Sequence, residues 1–245
     1  MFHKISIVTS LASITLASTL ALPSAKAASI TYTASGSGSD GALAASASFV
    51  TSAGQIQITL TNTLSPSSIV GPGQTLSDLS FTLSSAAGTL TGSTATGQQG
   101  TIGTGGVVTY TSGTPGRFIG QGGGTFTVSG SNITLEAIGG GTPSEMILPT
   151  LANGGSYTNA NGGIINNFDP YTIGPATFTL LLSGVTTNTT VTAANFSFGT
   201  APDTFIPGTP GTPPVPEPSS LALLGTGVAG LATMMRRRIT FASGR

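Results

Sequence analysis

Between Ala28 and Asp203 the sequence alternates between apolar and polar residues, as strands with one buried face do. In one clear run, Ile56, Ile58 and Leu60 share a face opposite glutamines and threonines. Similar runs occupy residues 43–49, 79–83, 126–128, 133–135 and 178–182. We find no convincing 3.6-residue period of a helix in this part. Many short strands with glycine-rich turns predict an all-β fold, an antiparallel β-sandwich that is jelly-roll-like.

Glycine-rich stretches interrupt the alternation. The short sequence Ser129-Gly130-Ser131-Asn132 separates two alternating runs and supplies residues that tolerate a positive φ, which predicts a β-hairpin over residues 126–135. Two longer stretches, 88–106 and 113–124, contain so much glycine that we expect them to bury little apolar surface.

The last alternating run changes phase. Val191 and Ala193 fall on one face of an ideal strand, whereas Phe196 and Phe198 fall on the other. Burial of both pairs requires an extra residue in the strand, so we predict a β-bulge near Ala194-Asn195.

The N-terminal residues have the organisation of a secretory signal peptide. A single Lys4 precedes an apolar and hydroxyl-rich run, residues 5–22, and an A-x-A sequence follows at residues 25–27. A proline that breaks the run and a cleavage motif that follows at once argue against a permanent membrane helix. We therefore expect a signal peptide over residues 1–27 and a mature protein that begins at Ala28.

A second apolar segment, residues 219–235, contains no charged side chain. Three of its glycines have the G-x-G-x-x-G spacing of a dinucleotide-binding loop, but prolines precede them and no acidic residue follows. As a helix, the segment would span about 26 Å, close to the hydrocarbon core of about 30 Å. The positive-inside bias places Arg236, Arg237 and Arg238 in the cytoplasm. We therefore predict a single C-terminal transmembrane helix, followed by a short cytoplasmic tail over residues 239–245.

Three elements follow one another at this end of the chain: Val215-Pro216-Glu217-Pro218, the apolar segment 219–235, and the arginines 236–238. Their order, together with the signal peptide, resembles the PEP-CTERM sorting signal of exported bacterial proteins. The resemblance implies that an exosortase, a transpeptidase-like membrane enzyme, recognises the protein and cleaves it near the Pro-Glu-Pro motif. It also implies transient residence in the cytoplasmic membrane, and then release or transfer to the cell surface.

The stretch just before the sorting signal, residues 206–214, reads IPGTPGTPP. Its four prolines are incompatible with a helix and favour an extended, polyproline-like spacer. The sequence thus predicts an exported β-sandwich domain over residues 28–205, a linker over 206–214 and a sorting signal over 215–238.

The exported part, residues 28–214, carries few charges, and this narrows its partners. It holds Arg117 against six carboxylates, a net charge of −5: Asp40, Asp78, Glu136, Glu145, Asp169 and Asp203. An acidic surface without a basic patch releases no counterions from a phosphate backbone, which argues against nucleic acid. The chain has no cysteine, so neither disulfides nor thiolate metal sites stabilise it.

The exported part lacks the residues that serve as general bases in nucleophilic catalysis. Without His, Cys or Lys, residues 28–214 offer no general base for a serine or cysteine nucleophile and no imidazole ligand for zinc. Glycoside hydrolysis needs only two acids about 5 to 9.5 Å apart, and the candidates are Glu136, Glu145 and Asp169. Glu136 follows a core position on its strand, so we expect it to face solvent.

Two aspartates are candidates for a calcium site. Asp40 and Asp169 lie in turn-like sequences, but neither sequence has several acids at fixed spacing. Turn capping is the simpler interpretation. We therefore expect no enzyme activity, no cofactor and no metal.

The stretch 151–175 is rich in Asn and Gly and contains Tyr157, Phe168, Asp169 and Tyr171. Long loops on a sandwich often bind ligands, and amides with aromatic faces suit sugars. In the alternative interpretation, Phe168 and Tyr171 only close one end of the core. The leading hypothesis is a noncatalytic protein of the cell surface or an extracellular polysaccharide matrix. The competing hypothesis is a carbohydrate-binding or carbohydrate-active protein that uses this loop.

Overall fold

The computed structural model describes residues 28–139, 142–152, 154–201 and 205–212. The predicted signal peptide, sorting motif, transmembrane helix and cytoplasmic tail lie outside these residues. Within the described ranges, no helix is both long enough and apolar enough to cross a membrane.

The described part is all-β, as the alternation predicts. Short 3-10 turns cover Pro66–Ser68, Pro72–Gln74, Thr104–Gly106 and Gly116–Ile119. The strands are β1 Ala28–Gly38, β2 Gly41–Ser52, β3 Gln55–Asn62, β4 Leu76–Leu83, β5 Leu90–Thr96, β6 Gln99–Ile102, β7 Val108–Thr111, β8 Thr125–Ser129, β9 Asn132–Glu136, β10 Ile147–Leu148, β11 Tyr171–Ile173, β12 Ala176–Leu182, β13 Val191–Phe198, β14 Phe205–Pro207 and β15 Thr209–Pro210.

These strands form two sheets that are almost entirely antiparallel. The first sheet has the order β15-β1-β2-β3-β12-β5. The second has the order β14-β13-β4-β10-β11-β6-β7, and the hairpin β8-β9 pairs with β4. Only β10 and β11 pair in parallel among the described strands.

The core lies between the sheets and contains the apolar half of each alternating run. Phe49 of the first sheet contacts Phe81 of the second, with ring centroids 5.0 Å apart, and Tyr32 meets Phe49 edge-on at 6.0 Å. The Tyr32 hydroxyl also donates across the sheets to the carbonyl of Val191 at 3.0 Å. These contacts define a β-sandwich, because each sheet buries one face against the other.

The predicted hairpin is confirmed, and the predicted bulge lies two residues earlier than expected. Ser129 pairs with Asn132 across the turn of β8 and β9, and Gly130 has the positive φ that the turn needs. In β13 the register shifts at Thr192, whose hydroxyl donates to the carbonyl of Thr82 on β4. The extra residue of the bulge thus contacts β4, and a second register shift lies between Ser197 and Phe198.

The boundary between domain and linker was predicted wrongly. Ile206 lies in β14, which pairs with β13, and Thr209-Pro210 forms β15, which pairs with β1. Proline is tolerated at such positions because edge strands leave some backbone amides unpaired. The domain thus continues to Gly211, whose N–H donates to the carbonyl of Thr31 at 2.7 Å.

The glycine-rich stretches also bury more than expected. The first contains β5 and β6 and buries Ile102 fully, and in the second residues 115–119 are all buried. The ring of Phe118 packs against Phe178 of β12, with centroids 5.2 Å apart. Glycines let the chain turn tightly around these buried side chains.

Arg117 holds the second glycine-rich stretch together. It is only 7% exposed, which is unusual for an arginine. Its Nε donates to the carbonyl of Ala137 at 2.8 Å, and its Nη atoms donate to the carbonyls of Gly122 and Gly123. The guanidinium fork thus satisfies three backbone acceptors from two segments, which no shorter side chain reaches.

We predict that Arg117→Ala lowers the free energy of unfolding by about 2–4 kcal/mol, because partly buried carbonyls lose their donors. Arg117→Lys, which keeps the charge but not the planar fork, should cost less than Arg117→Ala. Thermal denaturation of the exported protein, followed by circular dichroism, measures both. Wild-type stability of Arg117→Ala would contradict this role of the guanidinium.

Candidate functional site

Three acids that the sequence singled out serve as acceptors for distant backbone amides. Asp40 Oδ2 accepts from Gly73 N–H at 2.7 Å, and Glu145 Oε2 accepts from Arg117 N–H at 2.8 Å. Asp169 Oδ1 accepts from Ile102 N–H at 3.1 Å. Each carboxylate therefore ties its own segment to a segment distant in the sequence, and these bonds are not the local turn caps that the sequence suggested for Asp40 and Asp169.

Glu145 and Asp169 come from segments that lie side by side. The N–H of Glu145 donates to the carbonyl of Pro170, directly after Asp169, at 2.5 Å. Their carboxylates nevertheless serve different backbone segments, so no catalytic pair across a cleft is formed by these contacts. Within the described ranges, no three carboxylate or imidazole groups are placed to share a metal ion.

The sequence analysis missed a carboxylate pair between Asp78 and Glu136. These residues are direct cross-strand partners in β4 and β9, so their side chains leave the sheet on the same face. Glu136 lies on the face opposite the core positions Ile133 and Leu135, as expected, but it is half-buried and only partly exposed to solvent. Asp78 occupies a polar position of an alternating strand, and no sequence signal shows that this position is covered.

Asp78 is fully buried, and burial is the main reason that the pKa of its carboxyl rises to about 7. The negative charge of Glu136 raises the pKa further, whereas hydrogen bonds from Ser197, Ser77 and Ile138 lower it. Its Oδ1 has no hydrogen-bond partner. Two neighbouring acids with different pKa values are the arrangement of a glycosidase. A fully buried carboxyl, however, has no access to a substrate.

The two tyrosines of the 151–175 stretch lie in the core, and its phenylalanine packs against the core. Tyr157 and Tyr171 are fully buried, and the Tyr157 hydroxyl donates to the carbonyl of Pro149 at 2.6 Å. Phe168 is half-buried and packs against the core, with a φ of 57°. The rings therefore close one end of the core, and none forms an exposed platform. Ligand binding at Tyr157, Phe168, Asp169 or Tyr171 stays a prediction.

A cleft of about 740 Å³ lies at the end of the sandwich that carries the β1–β2 turn. Its polar lining includes Asp40 and Asn161, and its apolar lining includes Leu43, Phe198 and Ile206. The volume is in the range of small-molecule sites, which occupy about 300–1,000 Å³. Asn161 belongs to the 151–175 stretch, so this cleft is where that stretch meets the β1–β2 turn.

The outer face of the first sheet carries hydroxyl groups in register across five strands. The strand pairings align Thr31, Ser48, Thr59, Thr177 and Thr96 in one row. Within the row, the hydroxyls of Thr31 and Ser48 are 2.7 Å apart, and those of Thr59 and Thr177 are 3.3 Å apart. The face is polar but uncharged, because serine and threonine occupy most of its outward positions.

Comparison with known proteins identifies the C-terminal signal. Residues 214–238 match the family model of the PEP-CTERM protein-sorting motif. The chain therefore carries the sorting motif that its sequence resembles, which marks an exported protein that passes the membrane and is consistent with an exosortase substrate. No curated protein and no solved structure matches the chain.

Asp78 generates a prediction about pH. Because its folded-state pKa is raised from 3.8 to about 7, the unfolded chain loses the proton first as pH rises. The contribution of Asp78 to stability should therefore be largest below about pH 4 and decrease until about pH 7, where it levels off. The total decrease is at most about 4 kcal/mol. Burial also raises the pKa of Asp169, so this residue changes stability in the same direction.

The variant Asp78→Asn keeps the shape of the side chain and cannot ionise. Its melting temperature should decline less than that of the wild type between about pH 5 and about pH 8. Melting temperatures of both proteins across this range provide the measurement, and equal declines would show that another group controls the pH dependence.

Proposed function

We propose that this protein is a noncatalytic component of the bacterial cell surface or extracellular matrix, sorted and processed by an exosortase through its C-terminal signal. The match of residues 214–238 to the PEP-CTERM motif carries this proposal. Within the motif, Val215, Pro216, Glu217 and Pro218 are the residues that the sorting enzyme reads.

The same proposal includes the organisation of the whole chain. A signal peptide over residues 1–27 starts export, and a helix over 219–235 holds the protein in the cytoplasmic membrane, oriented by Arg236, Arg237 and Arg238. Between the two signals lies the β-sandwich, which we take to be jelly-roll-like.

Two observations support a noncatalytic role. Asp40, Glu145 and Asp169 each accept a backbone N–H that joins two loops, and Asp78 is buried away from substrate. The exported part also lacks His, Cys and Lys, the usual bases of nucleophilic catalysis. The uncharged hydroxyl row of the first sheet suits contact with a polysaccharide matrix, because it offers hydrogen bonds without repelling anionic sugars.

The main test compares two variants in the native host. Glu217→Ala should insert normally but escape processing, so full-length protein accumulates in the cytoplasmic membrane. Replacement of Arg236, Arg237 and Arg238 by Ala should instead disturb orientation and retention, because the charge that anchors a span of about 26 Å is lost. Immunoblots of membrane, surface and medium fractions distinguish these outcomes.

A matched control is Pro213→Ala, which lies just outside the motif and should be processed normally. If Glu217→Ala were processed and released like the wild type, the Pro-Glu-Pro motif would not be the signal that the sorting enzyme recognises in this protein. A plain C-terminal membrane anchor would then be the better interpretation.

A second candidate function, binding of an uncharged glycan, is favoured by the cleft between the β1–β2 turn and Asn161. An Asp carboxylate and an Asn amide accept and donate hydrogen bonds to sugar hydroxyls, and Phe198 supplies apolar contact. No cationic side chain is among the lining residues, so an anionic ligand has no counter-charge in this cleft.

This candidate predicts that Asn161→Ala weakens glycan binding roughly tenfold, the loss of about one hydrogen bond. Asn159→Ala is the matched control, because Asn159 lies in the same stretch but bonds to the carbonyl of Ser67 instead. A glycan array identifies ligands of the exported protein, and titration calorimetry then compares the variants. If Asn161→Ala bound the glycan as tightly as the wild type, the cleft would not be the binding site.

A further inference from the structure

Residues 205–211 form a C-terminal strap that joins the two sheets at the end of the domain. Strand β14 pairs with β13 of the second sheet, with Ile206 opposite Phe196. Strand β15 pairs with β1 of the first sheet, with Thr209 opposite Thr33. The strap therefore crosses from one sheet to the other within a single residue, Gly208.

Gly208 makes this crossing possible because it has no side chain. Its N–H donates to the carbonyl of Ala194 at 2.8 Å. A Cβ atom at this position would lie 2.8 Å from the Phe196 ring and 2.9 Å from the carbonyl oxygen of Ala194. A larger residue therefore collides with backbone on one side, so substitution of Gly208 is expected to displace the strap from the sandwich.

The strap determines how far the sorting motif can reach from the folded domain. Its last hydrogen bond is made by Gly211, and an extended chain from there to Pro216 spans at most about 17 Å. Without the strap, the nearest preceding residue that a backbone hydrogen bond anchors, among the residues that the structure describes, is Gly199, whose N–H donates to the carbonyl of Thr75. The reach from Gly199 to Pro216 would be about 58 Å.

The strap also determines which end of the sandwich is nearest to the membrane. Because β15 is antiparallel to β1, the chain leaves toward Ala28, away from the turn that carries Asp40. The turns at this exit end, 53–54, 84–87, 130–131 and 183–190, are linked by hydrogen bonds and contain no charged residue. Anionic lipid headgroups repel acidic side chains, so an end whose turns lack acidic side chains is the one that tolerates proximity to a membrane.

We propose that the strap stays bound to the sandwich when the sorting enzyme acts, so that the enzyme processes an already folded domain held with its exit end toward the membrane. This inference rests on the proposed function. A processing enzyme must bind its substrate as an extended chain, and residues 212–215 are the only ones between the strap and the Pro-Glu-Pro motif. The strap can therefore stay bound during processing only if these four residues give the enzyme enough room to bind the motif.

The test shortens the tether and then opens the strap, in the full chain and the native host. Deletion of Thr212 and Pro213 reduces the reach to about 10 Å without touching residues 214–238. Pulse-chase immunoblots should show processing roughly tenfold slower, because a few backbone hydrogen bonds of the strap must break before the enzyme can bind. Replacement of the same two residues by Gly-Ser, which keeps the length, should leave the rate unchanged.

The deletion combined with Gly208→Val should be processed at the wild-type rate again, because the opened strap restores the reach. If this variant fails to accumulate, Gly208→Ala introduces the same collision with the smallest side chain. Wild-type processing of the deletion variant, or no rescue by opening the strap, would overturn the inference. Processing of Glu217→Ala at the wild-type rate would instead overturn the proposed function, and the inference with it.

Discussion

The packing of Phe49 against Phe81 joins the two sheets, and the other features of the domain depend on this closed sandwich. With 6% charged residues and no cysteine, the chain has little else to hold its layers together. Aromatic and aliphatic side chains on alternating positions bury one face of each sheet, and the hydroxyl of Tyr32 adds a hydrogen bond between the layers. Hydrophobic burial of this kind requires strict register, because a shift of one residue would turn every apolar side chain outward.

Several of the few charged side chains in the described residues make hydrogen bonds that join separate backbone segments. Arg117 donates to three carbonyls, and Asp40, Glu145 and Asp169 each accept a backbone N–H from a distant segment. Ionised groups make stronger hydrogen bonds than neutral ones, so single residues suffice to tie long glycine-rich loops to the sandwich. This use of charge explains how such a chain keeps ordered loops with so few ionic groups.

The C-terminal strap connects this architecture to sorting. A segment that reads as a proline-rich linker pairs with both sheets and ends only a few residues before the sorting motif. The folded domain and its sorting signal are thus separated by a short tether rather than by a free spacer. In the proposed pathway, the fold determines both the distance and the orientation at which the membrane enzyme meets its substrate.

The sequence by itself determined the fold class, the hairpin of residues 126–135 and the sorting motif, because each depends on neighbours along the chain. Period-two alternation, turn residues and a linear motif are local properties. Tertiary structure alone decided that Asp78 and Glu136 are paired, that Tyr157 and Tyr171 are core residues, and that residues 205–211 are a strap. These outcomes depend on which segments cover one another, and alternation specifies one buried face without specifying what covers the other. For the same reason, the prediction from glycine content underestimated the burial around Arg117. Backbone carbonyls hold this side chain, and since every residue has one, the sequence does not show which carbonyls will do so.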